Sequence, residues 1–324
     1  MPIGIRDIAH YVPERVIGSA EIAAKHGFDE RFIREKLGIH ERRVSRPDES
    51  TADLCVEAAE AVLARAGVEP ELVDLLVVVT QTPDYILPHT SALVHHRLGL
   101  RKSSAAFDIS LGCSGFVYGL AVVVPLMEAH GMRTGLLIAA DEYSKVMDPN
   151  DRATAPLFGD AAAATLIGER PRYVAGKYSF GSDGSRHEAL IIHGSGIKAE
   201  PRGYLHMNGR AIFNFMINEV PADVATCLEL NGLSAEDIDC WVFHQANKYM
   251  LESLAERIGI PANRLVIDNA DIGNTTAASI PIALERRVLS DFTSPKRVLI
   301  SGFGVGLSWA STVLTHVDGH GLAG

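Results

Sequence analysis

Three short blocks of this chain recur, in the same order, roughly half a chain further on. Glu71-Leu-Val-Asp-Leu-Leu-Val-Val-Val resembles Glu236-Asp-Ile-Asp-Cys-Trp-Val-Phe-His, Ala106-Phe-Asp-Ile resembles Val266-Ile-Asp-Asn, and Gly135-Leu-Leu-Ile-Ala resembles Arg297-Val-Leu-Ile-Ser. The offsets are 165 for Val79 against His244, 161 for Cys113 against Asn274 and 162 for Gly135 against Arg297. Such near-constant spacing marks a duplicated unit. The blocks are continuous apolar runs, as in Leu75-Leu-Val-Val-Val, which suit strands buried on both faces. Helical patterns alternate with them; the one starting at Thr51 follows a Ser cap and ends at Gly67. The alternation predicts an α/β protein. Its expected halves are residues 1–168 and 169–324, and a pseudo-twofold axis between them brings equivalent strand ends to one site.

Three residues fall at such ends. Cys113 follows the apolar run that begins at Ala105 and precedes a Gly-punctuated apolar helix. A helix N-terminus favours thiolate over thiol, so this placement predicts a pKa below the ordinary value of roughly 8.5. His244 stands between a predicted strand and a predicted helix, and so does Asn274. Each has a plainer role when taken singly: a small buried hydrophobe, a core or capped histidine, a turn residue beside Gly273. At equivalent ends of a duplicated framework they form a candidate catalytic set.

Composition removes other classes. The net charge of −10 argues against a general nucleic-acid binder, which needs a basic face to neutralise phosphates. The four cysteines, without a Cys-x-x-Cys pair, fit a reducing compartment. No charged leader precedes an apolar stretch at the start, and the longest apolar run, Gly115 to Met127, is interrupted by Pro125 and too short to span a bilayer. A cytoplasmic protein without membrane attachment is expected. The adjacent His95 and His96 diverge by about 100° on a helix, so no metal is predicted. Gly302-Phe-Gly-Val-Gly looks like half a dinucleotide fingerprint, but the segment from Trp309 reads as a strand rather than the required helix.

Asp108-Ile-Ser-Leu-Gly-Cys-Ser-Gly115, Phe158-Gly-Asp-Ala-Ala-Ala-Ala164, Asn208-Gly-Arg210, His244-Gln-Ala-Asn247, Gly273-Asn-Thr-Thr-Ala-Ala-Ser-Ile-Pro281 and Ser301-Gly-Phe-Gly-Val-Gly306 run through nearly the whole chain, and Leu37-Gly-Ile-His-Glu-Arg-Arg43 fits with them. In these blocks the chain resembles the β-ketoacyl-ACP synthase III enzymes of the thiolase superfamily. The resemblance implies the five-layered αβαβα thiolase-like fold and assigns the catalytic set to Cys113, His244 and Asn274. It implies that an acyl-CoA loads Cys113 and that malonyl on acyl carrier protein, or malonyl-CoA, then condenses with loss of CO2. Both thioesters are substrates, and no cofactor is implied. Backbone N–H groups of Cys113 and Val305 are expected to form the oxyanion hole, with valine standing where most relatives carry glycine. Because an amide donates hydrogen bonds but is no base near neutral pH, Asn274 favours decarboxylative condensation over proton abstraction.

By the same resemblance Phe32, Lys36 and Arg152 flank CoA, with Phe32 where the family has tryptophan, and Asn247 and Lys248 lie on the CoA or carrier path. Two commonly basic positions are Asn214 and Tyr249 here, while Lys248 and Arg210 lie nearby. Leu87, in a loop that closes the partner subunit's acyl pocket in a homodimer, often has phenylalanine in its place. The smaller side chain leaves room for a longer or branched starter. Acyl transfer to an amine, hydroxyl or carrier, and a non-catalytic synthase partner, stay as alternatives; the pathway, whether fatty acid, polyketide or a surface-glycan precursor, stays open.

Overall fold

The structure, a computed structural model, describes residues 1–198, 201–290 and 295–317. The first half contributes strands β1 (Ile3–Tyr11), β2 (Arg15–Gly18), β3 (Glu41–Val44), β4 (Leu75–Val79), β5 (Ala105–Ile109), β6 (Thr134–Asp141) and β7 (Ala161–Glu169). Helices α1 (Ser19–His26), α2 (Thr51–Ala66), α3 (Thr90–Arg97) and α4 (Gly115–His130) lie among them. Both ends of α2 carry their expected signals. The Ser50 side chain accepts from Asp53 N in a capping box, and Gly67 takes the left-handed conformation at φ 62.

Strands β5, β4 and β6 run parallel, and β7 and β1 follow antiparallel, in the order β5-β4-β6-β7-β1. All five residues of β4 are buried, as a strand covered on both faces requires. Leu75, Val77 and Val79 enter one core with Phe116, Val117 and Leu120 of α4. Leu76 and Val78 enter another with Leu54, Val62 and Leu63 of α2.

The second half contributes β8 (Tyr173–Ser182), β9 (Leu190–Ile192), β10 (Leu205–Met207), β11 (Cys240–Phe243), β12 (Arg297–Gly304) and β13 (Ser308–His316), with α5 (Gly209–Leu230), α6 (Lys248–Ile258) and α7 (Ser279–Leu284). The order β11-β12-β13-β8 repeats β4-β6-β7-β1, with β11 and β12 parallel and the later pairs antiparallel. A counterpart of β5 was expected around Val266, yet only an isolated parallel bridge, Trp241 with Leu265, occurs there. Gln245 replaces the ladder: its Nε2 donates to Phe243 O at 2.7 Å and Val266 O at 3.3 Å, and its Oε1 accepts from Asp268 N at 2.7 Å.

One antiparallel pair, Ile5 with Tyr173, joins β1 to β8 and makes a nine-stranded sheet. Alternate faces of the two strand sets give five layers. Helices α2 and α3 cover the outside of the first set, α4 and α7 fill the middle, and α5 and α6 cover the outside of the second. The middle position buries the Phe116, Val117, Leu120, Val123 and Met127 side of α4, while Val122 on another side is 42% exposed. The helix continues through Pro125 to His130, with the proline inside it. Among the described residues no helix is long and apolar enough to cross a membrane.

Candidate active site

Cys113 sits in the turn between β5 and α4, two residues before the first helical residue Gly115. It is 5% exposed. Two glycines of β12 permit that depth. A Cβ on Gly302 would lie 2.6 Å from Cys113 O, and one on Gly304 would lie 3.1 Å from its Sγ. Ser114 Oγ, 2.7 Å from Ser308 Oγ, ties the same turn to the start of β13. The predicted low thiol pKa is overturned. Burial pushes the Cys113 thiol up to about 12, the nearby Asp141 charge adds to the rise, and Cys113's own backbone amide only partly opposes it.

His244 directly follows β11 and extends its ladder by donating N–H to Ser301 O of β12 at 2.8 Å. Its Nδ1 lies 2.8 Å from Ser279 Oγ at the start of α7, and that hydroxyl also accepts from Gln245 N at 3.3 Å. Phe303 meets the imidazole edge-on with ring centroids 5.7 Å apart. Burial lowers the His244 pKa to about 3, with the Thr276 main chain pulling weakly the other way. The ring is therefore neutral at physiological pH.

Asn274 is held by its main chain and by one end of its amide. Its N–H donates to Leu157 O at 2.8 Å, and its carbonyl accepts from Gly159 N at 3.0 Å. Only glycine fits at 159, where a Cβ would stand 2.0 Å from Ile272 O. Asn274 Oδ1 accepts from Thr276 N at 2.9 Å, which leaves Nδ2 as the outward donor, 3.5 Å from His244 Nε2.

Cys113, His244 and Asn274 line one cavity of about 460 Å3. Phe32, Arg152 and Asn247 line it too. Arg152 covers the Phe28 ring at 4.7 Å rather than standing free, and Phe28 stacks on Phe32 with centroids 5.8 Å apart. Asn247 caps α6, its Oδ1 accepting from Met250 N at 2.9 Å. Lys36 is exposed and outside the lining, and Lys248 lies 3.8 Å from Glu252, also outside it. Gly304 lines the cavity but Val305 does not; Val305 packs toward Gly112, whose Cβ would lie 2.7 Å from its Cγ1. Leu87 is 82% exposed and away from this chain's own cavity.

Sequence reasoning missed several contributors. Phe28 lies in the loop after Gly27 and Phe32 in the short helix that follows, so their stacking comes from the way the chain turns there and not from helical spacing. Phe213 and Tyr249 stack at the cavity, 5.7 Å between centroids, from two separate helices, and no local pattern announces that. Ser279 and Thr276 were inside a recognised block but without a role until the fold set them against His244 and Asn274.

The arrangement places one buried thiol beside two neutral groups able to donate hydrogen bonds. Comparisons with known proteins agree with it. The family model described as 3-oxoacyl-[acyl-carrier-protein (ACP)] synthase III matches residues 107–184, and the model of that family's C terminal matches residues 228–316. A β-ketoacyl-[acyl-carrier-protein] synthase III of Lactococcus lactis subsp. cremoris is 35% identical over 322 residues, covering 96% of this chain and 98% of the relative. A crystal structure of a 3-oxoacyl-(acyl-carrier-protein) synthase III superposes with TM-score 0.91 at 35% identity, over 97% of this chain and 100% of that one. The priming β-ketosynthase of the R1128 polyketide biosynthetic pathway gives TM-score 0.88 at 31% identity, over 98% and 97%. With the thiolase fold and relatives matching end to end, the chain belongs to the 3-oxoacyl-(acyl-carrier-protein) synthase III family of condensing acyltransferases.

Proposed function

We propose that Cys113 carries the acyl group and that His244 and Asn274 stabilise the enolate of a malonyl thioester. The observation that carries this reading is the convergence of the three side chains on one cavity, with the Asn274 Nδ2 donor beside His244 Nε2. In the first half-reaction the Cys113 sulfur attacks the acyl-CoA carbonyl. The C–S bond to CoA breaks, the Cys113 proton leaves with the CoA sulfur, and main-chain N–H groups of Cys113 and the 304–305 segment face the transient oxyanion. In the second, a malonyl thioester loses CO2 and the electron pair delocalises onto its thioester oxygen. The resulting carbanion attacks the acyl-Cys113 carbonyl and expels the thiolate, which takes up a proton. A β-ketoacyl thioester leaves. The steps use only side chains, main-chain amides and the two thioesters.

Burial serves this sequence. With its pKa pushed up to about 12 by burial, the resting Cys113 is a thiol. A neutral His244 can give Nε2–H to the enolate because Ser279 Oγ, accepting from Gln245 N, has its own proton to give to Nδ1. The malonyl group arrives on acyl carrier protein or on CoA through the aromatic opening made by Phe28, Phe32, Phe213 and Tyr249. Asn247 borders that path and Lys36 and Lys248 supply positive charge outside it.

The working unit in this reading is a cytoplasmic homodimer of two-half subunits divided near residue 168. Support comes from the unpaired outer edge of β5 and from Tyr85, Ile86 and Leu87, exposed by 59%, 87% and 82% on one chain. Such a run calls for cover, and a partner's acyl pocket provides it. The test is to offer a panel of short, branched and medium acyl-CoAs, read the mass increment on Cys113, and then add malonyl-ACP or malonyl-CoA. The reading expects β-ketoacyl product with CO2; acyl transfer without CO2 would assign the site to a different acceptor.

A further inference from the structure

Asp141 ends β6 and is 1% exposed, yet takes no part in the steps above. Its two oxygens serve different parts of the molecule. Oδ1 accepts from Gln81 N at 2.8 Å and from Thr80 Oγ1 and Thr82 Oγ1 at 3.3 Å each, all neighbours at the end of the adjacent β4. Oδ2 accepts from the hydroxyl of Thr276, which lies 135 residues away in the other half of the chain.

Thr276 is an unusual residue to find there. Its φ is +51, and Arg170 is the only other described non-glycine residue with positive φ. A β-branched residue in this region persists only where surrounding contacts over-determine it. The conformation has a use. It aims Thr276 N at Asn274 Oδ1, 2.9 Å away, and turns the Thr276 main chain toward the His244 ring. Thr276 Oγ1 also donates toward Thr275 O at 2.8 Å, so without Asp141 its proton has another acceptor and the tie across the halves is lost.

We propose that Asp141 is a positioning residue for condensation: by holding the Thr276 hydroxyl it fixes the left-handed turn that aims the Asn274 amide beside His244. The proposal rests on the functional reading above. It goes further in assigning a role to a carboxylate that does not line the cavity. No cation faces Asp141 among its hydrogen-bond partners; four neutral donors hold it. Asp141 thus acts as a rigid acceptor rather than as half of an ion pair, and a displacement of about 1 Å in Asn274 is enough to slow the second half-reaction by up to about a hundredfold.

The experiment is a double-mutant cycle on the full enzyme with Thr276→Val and Asp141→Asn, plus Thr276→Ser as rescue. Valine keeps the β-branched shape and the same backbone demand but cannot donate. Thr276→Val is expected to load acyl on Cys113 to the wild-type extent and to condense roughly ten- to a hundredfold more slowly. Thr276→Ser should stay within about threefold of wild type, and the double variant should be no slower than the slower single one. Condensation by Thr276→Val within about threefold of wild type, or multiplying independent effects in the double variant, overturns the proposal. A crystal structure of Thr276→Val separates this from the wider reading and covers the case of an Asp141→Asn chain that fails to fold. Displacement of the Asn274 amide supports positioning even if the wild type releases no CO2, and an unmoved amide refutes it.

Discussion

Asn274 Nδ2 stands 3.5 Å from His244 Nε2, and each group is pinned at its opposite end by a different partner. Thr276 N holds Asn274 Oδ1 and Ser279 Oγ holds His244 Nδ1, so the two free ends point to one place. Neither group bears charge. Two neutral donors side by side suit an oxygen on which negative charge develops, since they gain most when that charge appears.

Removing either donor should therefore separate the half-reactions. His244→Ala and Asn274→Ala are expected to load Cys113 normally while condensation falls about 10²–10³-fold, the scale of losing one preorganised oxyanion donor. Asn274→Asp should fare no better, because a carboxylate accepts where the amide donates. Intact-mass analysis of loading and single-turnover CO2 release check both parts; lost loading in folded Asn274→Ala contradicts the assignment.

Cys113→Ala should abolish acyl loading on every acyl-CoA offered, with the melting temperature little changed, since the side chain loses a single small atom. Any acyl adduct retained at another residue, found by peptide mapping, would move the nucleophile elsewhere.

The pH behaviour of the free enzyme follows from burial. With the Cys113 pKa raised to about 12, the thiolate fraction climbs about tenfold per pH unit below that value, so alkylation by iodoacetamide should keep rising past about pH 9 without a plateau. A plateau near neutral pH would mean that the helix terminus outweighs desolvation. The His244 pKa is lowered to about 3, so the ring stays neutral as pH falls through 6.5, its ordinary value, and condensation should show no loss from its protonation there.

Gly159→Ala places a methyl group 2.0 Å from Ile272 O, a backbone atom that cannot swing aside. The expected cost is about 1–3 kcal/mol of stability, by analogy with overpacking, together with slower condensation because the 157–159 segment clamps Asn274. Thermal denaturation beside a condensation assay measures both. Gly304→Ala should differ: its methyl group presses on Cys113 Sγ at 3.1 Å, so loading falls first.

Phe28→Ala removes the platform under Arg152 at 4.7 Å. It should raise KM for acyl-CoA by severalfold, on the scale of one cation–π contact, and leave kcat for a preloaded enzyme unchanged. An unaltered KM would place the CoA adenine away from this wall.

Local sequence carried the framework well where local physics decides it. The five-residue run of β4 is buried on both faces, and α2 begins at the Ser50 cap and stops at Gly67. Cys113 follows β5 and His244 follows β11, so those two positions were legible from strand ends; among the described residues no strand leads directly into Asn274, and it is the fold that brings all three to one cavity. What escaped depends on partners far along the chain. The Cys113 pKa is set by closure under Gly302 and Gly304 rather than by its own helix. The strand expected at Val266 gives way to a side chain, Gln245, that takes over its backbone partners. Arg152 lies on Phe28 because a loop and a helical turn meet in space, which no spacing rule registers.

The central claim, that Cys113 carries an acyl group into a decarboxylative condensation, has a direct measurement. Enzyme loaded with acyl on Cys113 and freed of acyl-CoA is mixed with a malonyl thioester, and the acyl-enzyme mass and released CO2 are followed together in a single turnover. The account predicts that each acyl group leaving Cys113 is matched by one CO2 and one β-ketoacyl thioester. An acyl group that leaves without CO2, or one that stays on Cys113 while malonyl is consumed, would contradict it.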